Sequence, residues 1–303
     1  MPAEIISPDI VQAAVPGISE IGVLNTGGFK VVYKAKINGI WEALKLIEIQ
    51  RFPDLHADEE TMLRQELRSR IFREIGILET VHIPELVSLG SLHKSEFTIS
   101  GRDFVIYSEE LIEGDDLWCI IRRNAERPSQ HELCTLFIIL LRAIKALWAQ
   151  GYIHRDIKPA NVMRTSNPQR PFILMDLGIA FSIHDTALTF NAAGRLPPAT
   201  FRYIDPEMLN PAFRDNIDFR SDLYTAGMTL FEYASFTHPL ARDRDDLVTT
   251  FSRALKQMPK KLSEFRTDLA PGLCDVIDQM LKKKRALRPT NIDAVIKKLE
   301  AFL

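Results

Sequence analysis

The sequence lacks any strong excess of charge of one sign. It contains 38 Lys and Arg residues against 40 Asp and Glu residues, so its formal net charge is −2. Proteins that bind nucleic acid or anionic membranes through a basic surface usually carry a clear positive excess. We therefore expect neither nucleic acid nor a membrane as a partner.

Cysteines and long apolar runs are also scarce. Cys119, Cys134 and Cys274 lie far apart and lack the spacing of a metal site, which favours free thiols in a reducing compartment. The most apolar stretch, residues 133–141, is too short to span a membrane. Residues 3–17 contain acids and prolines where a signal peptide would have a basic start and an apolar block. We expect a cytoplasmic protein.

Short apolar runs separated by turn residues indicate a small antiparallel sheet in the first third of the chain. The predicted strand regions are residues 21–46, 86–92 and 104–108, and the predicted turns are Gly27-Gly28, Asn38-Gly39 and Ser100-Gly101. A long helix is predicted between them, capped by Asp58 or a neighbour. Its inward face, at spacings of three and four, consists of Leu63, Leu67, Ile71, Glu74, Ile75 and Leu78.

The chain becomes mainly helical after residue 113. Helices are predicted near residues 130–149, 222–235, 245–257, 270–282 and 291–302. The predicted architecture is thus α+β, with a part rich in strands followed by a helical part.

Two polar segments contain the groups that phosphoryl transfer requires. The segment HRDIKPAN, residues 154–161, supplies the carboxylate of Asp156 for a hydroxyl proton, the ammonium of Lys158 for the transferring phosphate and the amide of Asn161 for a metal. Asp176, in the later segment MDLG, supplies a second metal ligand. A single loop aspartate is usually a cap or turn residue. The joint occurrence of these residues at this spacing favours the chemical interpretation.

These segments resemble the motifs of the eukaryotic-type (Hanks-type) Ser/Thr protein kinase family. The resemblance implies a bilobal fold, with a small antiparallel-sheet N-lobe that carries one long helix and a mainly helical C-lobe. It divides the chain into an N-terminal arm of residues 1–20, an N-lobe of residues 21–112 and a C-lobe of residues 113–303. It also implies ATP and Mg²⁺ as cofactors and proteins as substrates. The sequence sets no oligomeric state.

The resemblance assigns a loop that covers the nucleotide phosphates to residues 24–35. Aligned on Val32, the three glycine positions of the family pattern GxGxxGxV are occupied by Asn25, Gly27 and Lys30, so one glycine remains. An ordinary hairpin turn is the alternative interpretation of this segment. Lys30 would bring a cation near the phosphates.

Ala43-Leu44-Lys45 resembles the end of the family's third-strand motif, in which the lysine contacts the inner phosphates and pairs with a glutamate on the long helix. The partner is predicted to be Glu74, because a carboxylate on the apolar side of a helix needs a cation. A lysine that ends a strand is ordinarily a solvated surface residue. The downstream motifs favour the functional interpretation here. The long span between Lys45 and Glu74 is attributed to an extended front end of the helix.

The segment that joins the two lobes is placed by its resemblance to the post-hinge sequence at residues 113–117. This register assigns Glu110 and Ile112 to the backbone that binds adenine, and Met163 to the same nucleotide site. Glu109 falls at the back of the pocket, where a buried acid needs a cation or water. A register error of one residue is the alternative.

The resemblance also assigns the substrate side. Thr200 would position the substrate near Asp156, and Lys158 favours serine or threonine over tyrosine as the acceptor. Glu207 is expected to pair with Arg288, with Asp205 in place of the customary alanine, and Asp222 to anchor the backbone at residues 154–155. Thr186 and Thr189 are candidate phosphorylation sites, which would make the protein a phosphoprotein whose phosphate docks on Arg155.

Two other functions are compatible with parts of the sequence. A pseudokinase that binds nucleotide as a scaffold is favoured by the lost glycines and opposed by the retained catalytic residues. A small-molecule kinase is opposed by residues 200–207, which resemble a segment that docks protein substrates.

Overall fold

The protein is described by a computed structural model over residues 4–26, 30–124, 126–177, 181–182, 201–210 and 217–303. The chain groups into two compact units. The N-terminal unit comprises Met1–His82 and Val87–Glu113, and the C-terminal unit comprises Ile83–Leu86 and Gly114–Leu303.

An antiparallel sheet of five strands forms the centre of the N-terminal unit. The strands are β1 (Ile18–Thr26), β2 (Lys30–Ile37), β3 (Ile40–Glu48), β4 (Ser95–Ile99) and β5 (Arg102–Glu110), in the order β1-β2-β3-β5-β4. Asn38-Gly39 joins β2 to β3, and Ser100-Gly101 joins β4 to β5. All four of these turn residues have positive φ angles, as the common two-residue hairpin turns require. These two of the three predicted turns are confirmed, and the third, Gly27-Gly28, lies outside the described residues.

One face of this sheet is covered by a helix that the sequence analysis did not predict. Helix α1 (Pro8–Ala14) contributes Val11 to a buried cluster with Tyr33, Leu44 and Ile106 of the sheet. The Tyr33 hydroxyl donates a hydrogen bond of 2.7 Å to the carbonyl oxygen of Ile6, which precedes the helix. Ile6 and helix α1 are therefore part of the core of this unit.

Helix α2 (Ala57–Thr80) confirms the predicted long helix. Its second half is buried at Ile71, Glu74, Ile75, Ile77 and Leu78. Leu63 and Leu67 of the predicted inward face are half-buried. The cap differs from the prediction, because the helix begins after His56 and Asp58 lies in the first turn.

Arginines attach the front half of α2 to the sheet. Arg64 forms an ion pair of 2.7 Å with Asp103 and donates to the carbonyl oxygen of Ile49 at 3.1 Å. Arg68 lies 3.0 Å from Glu96 of β4. The helix is thereby attached to β4, β5 and the end of β3.

The prediction of a strand at residues 86–92 is wrong. The remaining strand of the sheet is β4 instead. The segment lies alongside β5, where Leu89 forms an isolated bridge with Glu109. Its amides bond to side chains as well as to backbone. Ser91 N donates to the carboxylate of Glu42 at 2.9 Å, and Leu92 N donates to the hydroxyl of Ser108 at 2.9 Å. Because these two amides bond to side chains, the backbone hydrogen bonds between this segment and β5 do not form the continuous ladder of a regular strand.

The C-terminal unit is mainly helical. Its helices are α3 (Leu117–Arg123), α4 (Gln130–Ala149), α5 (Arg220–Ser235), α6 (Leu247–Lys256), α7 (Pro271–Met280) and α8 (Ile292–Glu300). The five predicted helices are confirmed, and the short α3 was missed. Ser129, Asp246 and Asn291 occupy N-cap positions, and each accepts a hydrogen bond from a backbone N–H inside its helix. None of the described helices is both long and apolar enough to cross a membrane.

Short strands in this unit hold the polar segments of the candidate site. Strands β6 (Gly114–Asp116), β8 (Val162–Thr165) and β9 (Phe172–Leu174) form one sheet in the order β6-β8-β9, and β7 (Tyr152–Ile153) pairs with β10 (Phe181–Ser182). The segment HRDIKPAN connects β7 to β8, and Asp176 follows β9.

Residues 83–86 are bonded into this unit although they precede β5 in the chain. Leu174 N donates to the carbonyl oxygen of Glu85 at 2.9 Å, and Leu86 forms a parallel bridge with Leu174. Arg170 donates to the carbonyl oxygen of Pro84 at 2.9 Å and to that of Leu86 at 3.1 Å.

Candidate active site

The loop between β7 and β8 brings Asp156, Lys158 and Asn161 together. Lys158 Nζ lies 2.6 Å from Asp156 Oδ2. Asn161 Nδ2 donates to the backbone oxygen of Asp156 at 2.9 Å and to its Oδ2 at 3.0 Å. The buried Oδ1 of Asp156 has no hydrogen-bond partner among the described residues. One carboxylate oxygen is therefore fixed by the loop, and the other remains available as an acceptor.

Asp222 anchors the start of this loop, as the sequence analysis predicted. From the first turn of α5, its two carboxylate oxygens accept hydrogen bonds from His154 N and Arg155 N, both at 2.8 Å. Arg155 has a φ of +67°, a conformation that is costly for a residue with a side chain. The two backbone bonds to Asp222 hold this strained backbone immediately before Asp156.

Burial dominates the electrostatics of the loop. It raises the pKa of Asp156, an effect that the positive charge of Lys158 opposes. Burial lowers the pKa of His154 to about 4, so its imidazole is neutral near pH 7. Burial also raises the pKa of Asp222 to about 7, against the two backbone hydrogen bonds that favour its charged form.

Asp176 is placed beside the loop by the backbone. Met175 N donates to the backbone oxygen of Asn161 at 2.8 Å, which links the chain after β9 to the end of the loop. Asp176 itself has a φ of +65° and is partly exposed.

The donor set of these residues fits a magnesium ion. The Asn161 amide and the Asp176 carboxylate offer oxygen ligands, which Mg²⁺ prefers. No cluster of three or more His, Cys, Asp or Glu side chains that could hold a metal occurs in the described part of the chain. Mg²⁺ usually binds through one or two carboxylates together with water and substrate phosphates, so a cage made of protein alone is not required.

Lys45 lies in a buried cluster within the N-terminal unit. Its Nζ is 3.2 Å from Glu74 Oε1 on α2, which confirms the predicted pair, and 2.5 Å from Glu109 Oε1 on β5. The acid expected at position 109 therefore has a cation as its partner. Burial raises the pKa of Glu109, and the charge of Lys45 acts in the opposite direction.

The other residues assigned to the phosphate-covering region lie along β1, β2 and β3. Val32 is paired with Lys45 across the two strands, and Asn25 is paired with Val32. Ala43 lies two residues before Lys45, so side chains of both point to the same face of the sheet. Lys30 is the first residue of β2. Gly27 lies outside the described residues.

The residues assigned to adenine are placed on separate elements. Glu110 ends β5, where its backbone N–H donates to Ser88 O at 3.0 Å and its carboxylate accepts from Ser88 N at 2.8 Å. Ile112 follows β5 and is half-buried, and Met163 is half-buried on β8.

The prediction that Glu207 pairs with Arg288 is wrong, because the partner of Arg288 is Asp205. Arg288 donates to both carboxylate oxygens of Asp205 at 2.8 Å, and both side chains are fully buried. Glu207 is half-exposed, and its Oε1 accepts from Arg285 N at 3.0 Å. Asp205 also accepts a hydrogen bond of 2.5 Å from the Ser221 hydroxyl. The signal was in the sequence, since an acid in place of an alanine at a buried position requires a cation.

Two further contacts order the segment around Asp205 and were not predicted. The Tyr203 hydroxyl donates to Glu232 Oε2 on α5 at 2.5 Å. The ring of Phe201 packs edge-on against that of Phe251 on α6, with 5.2 Å between the centroids. Thr200 precedes this ordered segment and, like Thr186 and Thr189, lies outside the described residues.

Three relatives found by comparison with known proteins are named serine/threonine-protein kinases. The chain is 26% identical over 288 residues to a probable serine/threonine-protein kinase of Streptomyces coelicolor, a match that covers 95% of this chain and 40% of that protein. It is 27% identical over 273 residues to serine/threonine-protein kinase PknJ of Mycobacterium tuberculosis, covering 88% of this chain and 41% of the relative. A probable serine/threonine-protein kinase of Corynebacterium efficiens is 32% identical over 241 residues, which cover 76% of this chain and 34% of that protein.

This chain thus spans less than half the length of these relatives. The family model of the protein kinase domain matches residues 18–299, a range that includes both the Lys45–Glu74 pair and the loop around Asp156. Since that match takes in nearly the whole chain, the protein belongs to the protein kinase family.

Proposed function

We propose that this protein transfers the γ-phosphoryl group of ATP to serine or threonine hydroxyls of protein substrates in the cytoplasm. The observation that carries the proposal is the cluster of Asp156, Lys158 and Asn161, held in one loop by hydrogen bonds of 2.6 to 3.0 Å. Phosphoryl transfer depends on positioning and on charge stabilisation, and this cluster supplies groups for both.

Asp156 acts as the base in this proposal. Lys158 and Asn161 occupy its Oδ2, so the buried Oδ1 accepts the hydrogen bond of the substrate hydroxyl and then its proton. Lys158 also stabilises the charge on the transferring phosphate. Asn161 and Asp176 hold magnesium, which when bound neutralises charge on the nucleotide phosphates.

The N-terminal unit contributes the residues that bind nucleotide. Lys45, supported by Glu74, binds the inner phosphates, and Asn25, Gly27, Lys30, Val32 and Ala43 cover the nucleotide. Glu110, Ile112 and Met163 are assigned to adenine. Thr200 is assigned to the substrate hydroxyl. In this assignment residues 21–112 are the nucleotide-covering lobe and residues 113–303 carry catalysis and substrate binding.

Two observations support a serine or threonine acceptor. A lysine stands two residues after Asp156, where Ser/Thr kinases typically carry one, and the relatives described above are named serine/threonine-protein kinases.

The test is incubation of the purified protein with γ-labelled ATP, Mg²⁺ and casein, followed by phosphoamino acid analysis. Label on serine or threonine is expected, and the Asp156→Asn variant should give almost none. Label on tyrosine would overturn the acceptor assignment. Nucleotide binding without any transfer would instead indicate a nucleotide-binding scaffold.

A further inference from the structure

We propose that Glu109 is a second positioning residue for Lys45, so that the sheet itself holds this lysine together with helix α2. The inference rests on the proposed function, in which Lys45 binds the inner phosphates of the nucleotide. It adds a residue that the usual pairing of this lysine with a helix glutamate does not include.

The distances favour Glu109 as the nearer anchor. Lys45 Nζ lies 2.5 Å from Glu109 Oε1 and 3.2 Å from Glu74 Oε1. The side chains of all three residues are at most 6% exposed. In such a dry site the attraction between an ammonium and a carboxylate is screened little by solvent, so both contacts constrain the lysine.

Strand pairing fixes the position of Glu109 relative to Lys45. β3 and β5 are paired without interruption from Glu42 to Glu48, with Lys45 opposite Tyr107 and Ala43 opposite Glu109. Glu109 is therefore the diagonal neighbour of Lys45 on the same face of the sheet, within reach of a long side chain. The lysine ammonium also lies 5.4 Å from the centre of the Tyr107 ring.

Glu74 depends on a different element. It is carried by α2, so its distance from Lys45 changes whenever the helix shifts along or away from the sheet. Glu109 cannot shift in this way without breaking the β3–β5 ladder. The position of Lys45 is therefore set by two elements, one of which is the strand next to its own.

The charges around Lys45 predict that either carboxylate, that of Glu74 or that of Glu109, can serve as its partner when the other is neutralised. Lys45 and Lys30 are the cations that act on Glu109, and Glu74 is the acid that faces it. Neutralising one acid leaves the Lys45 ammonium with the other carboxylate. Neutralising both leaves a buried ammonium without either of these partners, which is far more costly than two separate losses. The two substitutions should therefore be strongly non-additive.

The experiment compares Glu74→Gln, Glu109→Gln, the double variant and Lys45→Met. Each single substitution should raise the KM for ATP by less than about tenfold, while the double variant should lose at least about a hundredfold in kcat/KM, approaching Lys45→Met. Glu79→Gln, which neutralises an exposed acid on the same helix, is the matched control and should behave as the unmodified protein. A Glu74→Gln variant as inactive as Lys45→Met, or a Glu109→Gln variant equal to or better than the unmodified protein, would overturn the proposal.

A second measurement does not depend on phosphoryl transfer. The rate at which an amine-acylating reagent modifies Lys45, followed by mass spectrometry, reports how firmly the ammonium is held. The double variant should react at least about ten times faster than either single variant, because one remaining carboxylate suffices to hold a buried ammonium. Fast reaction in Glu74→Gln alone would show that Glu109 does not anchor Lys45.

Two controls separate the possible failures. If the unmodified protein transfers no phosphate but the acylation rates follow the expected order, the proposed function fails and the anchoring stands. Glu109→Leu replaces the carboxylate with an apolar side chain. It should match Glu109→Gln in acylation rate, and a thermal melting curve for each variant shows whether the fold is retained.

Discussion

Arg288 donates two parallel hydrogen bonds to Asp205, each of 2.8 Å, and both side chains are fully excluded from solvent. The remaining donors of the guanidinium reach the carbonyl oxygens of Lys282, Lys283 and Arg220. One arginine thus joins the segment around Asp205 to the start of α5 and to the chain after α7.

Asp205→Asn should lower the free energy of unfolding by about 3 to 5 kcal/mol, because it leaves the buried Arg288 without its counter-charge. Glu207→Gln is the matched control, and we expect a change within about 0.5 kcal/mol since this side chain is half-exposed. Urea denaturation of both variants measures the difference. A larger loss for Glu207→Gln would restore the pairing that the family resemblance predicted.

Asp156→Asn should reduce turnover at least about a hundredfold with little change in nucleotide affinity, because Asp156 acts on the substrate hydroxyl. Asp176→Asn should weaken Mg²⁺-dependent nucleotide binding as well. Steady-state kinetics together with calorimetric titration of ATP in the presence and absence of Mg²⁺ distinguishes the two. Equal losses of ATP affinity in both variants would show that these roles are wrongly assigned.

His238 should make the stability of the protein depend on pH. Burial lowers the pKa of its imidazole to about 3, and the nearby charge of Arg202 acts in the same direction. Below about pH 6.5 the unfolded chain takes up a proton at this residue that the folded protein does not, so the free energy of unfolding falls as the pH falls.

The comparison is with His238→Asn, whose side-chain oxygen can replace Nδ1 as the acceptor of the Leu240 and Ala241 amides. The stability advantage of the unmodified protein over this variant should shrink by about 2 kcal/mol between about pH 7.5 and about pH 5. Urea unfolding at both pH values measures it. An advantage that is independent of pH would mean that the imidazole is solvated in the folded protein.

Val11→Asp should destabilise the protein by about 3 kcal/mol or more, since it places a carboxylate in the buried cluster between α1 and the sheet. Ile10→Asp, one residue earlier on the exposed side of the same helix, should change stability by about 0.5 kcal/mol or less. Thermal unfolding of the two variants makes the comparison. Similar melting temperatures would show that α1 is not docked in solution.

The sequence sufficed for elements that are specified locally. The spacing of apolar residues predicted α2 and α4. The turns at Asn38-Gly39 and Ser100-Gly101 could be predicted because they require positive φ angles, which few residue types adopt readily. Helix α1 was missed because seven residues give too few turns for a periodic pattern. Its burial depends on a sheet face that forms elsewhere in the chain.

The site was predictable to the extent that its residues lie within one motif. Asp156, Lys158 and Asn161 are close in sequence, so their contact follows from a short loop. The partner of Arg288 comes from a distant segment, where the choice between two nearby acids depends on which side chain the backbone turns inward. Asp205 is turned inward, and a pattern of residue types does not encode that geometry. For Lys45, the partner Glu74 was predicted, and so was the need of Glu109 for a cation or water, but not that both acids share this lysine.

The hydrogen bonds that hold residues 83–86 in the C-terminal unit have a consequence for folding during synthesis on the ribosome. Leu174 and Arg170, which bond to this short segment, are translated almost ninety residues later than it. At typical rates of about 5 to 20 residues per second, the segment waits several seconds for its partners to emerge. The sheet of the N-terminal unit can form in that interval. The C-terminal unit, in contrast, is complete only after residues 83–86, which were synthesised earlier, have bonded to it.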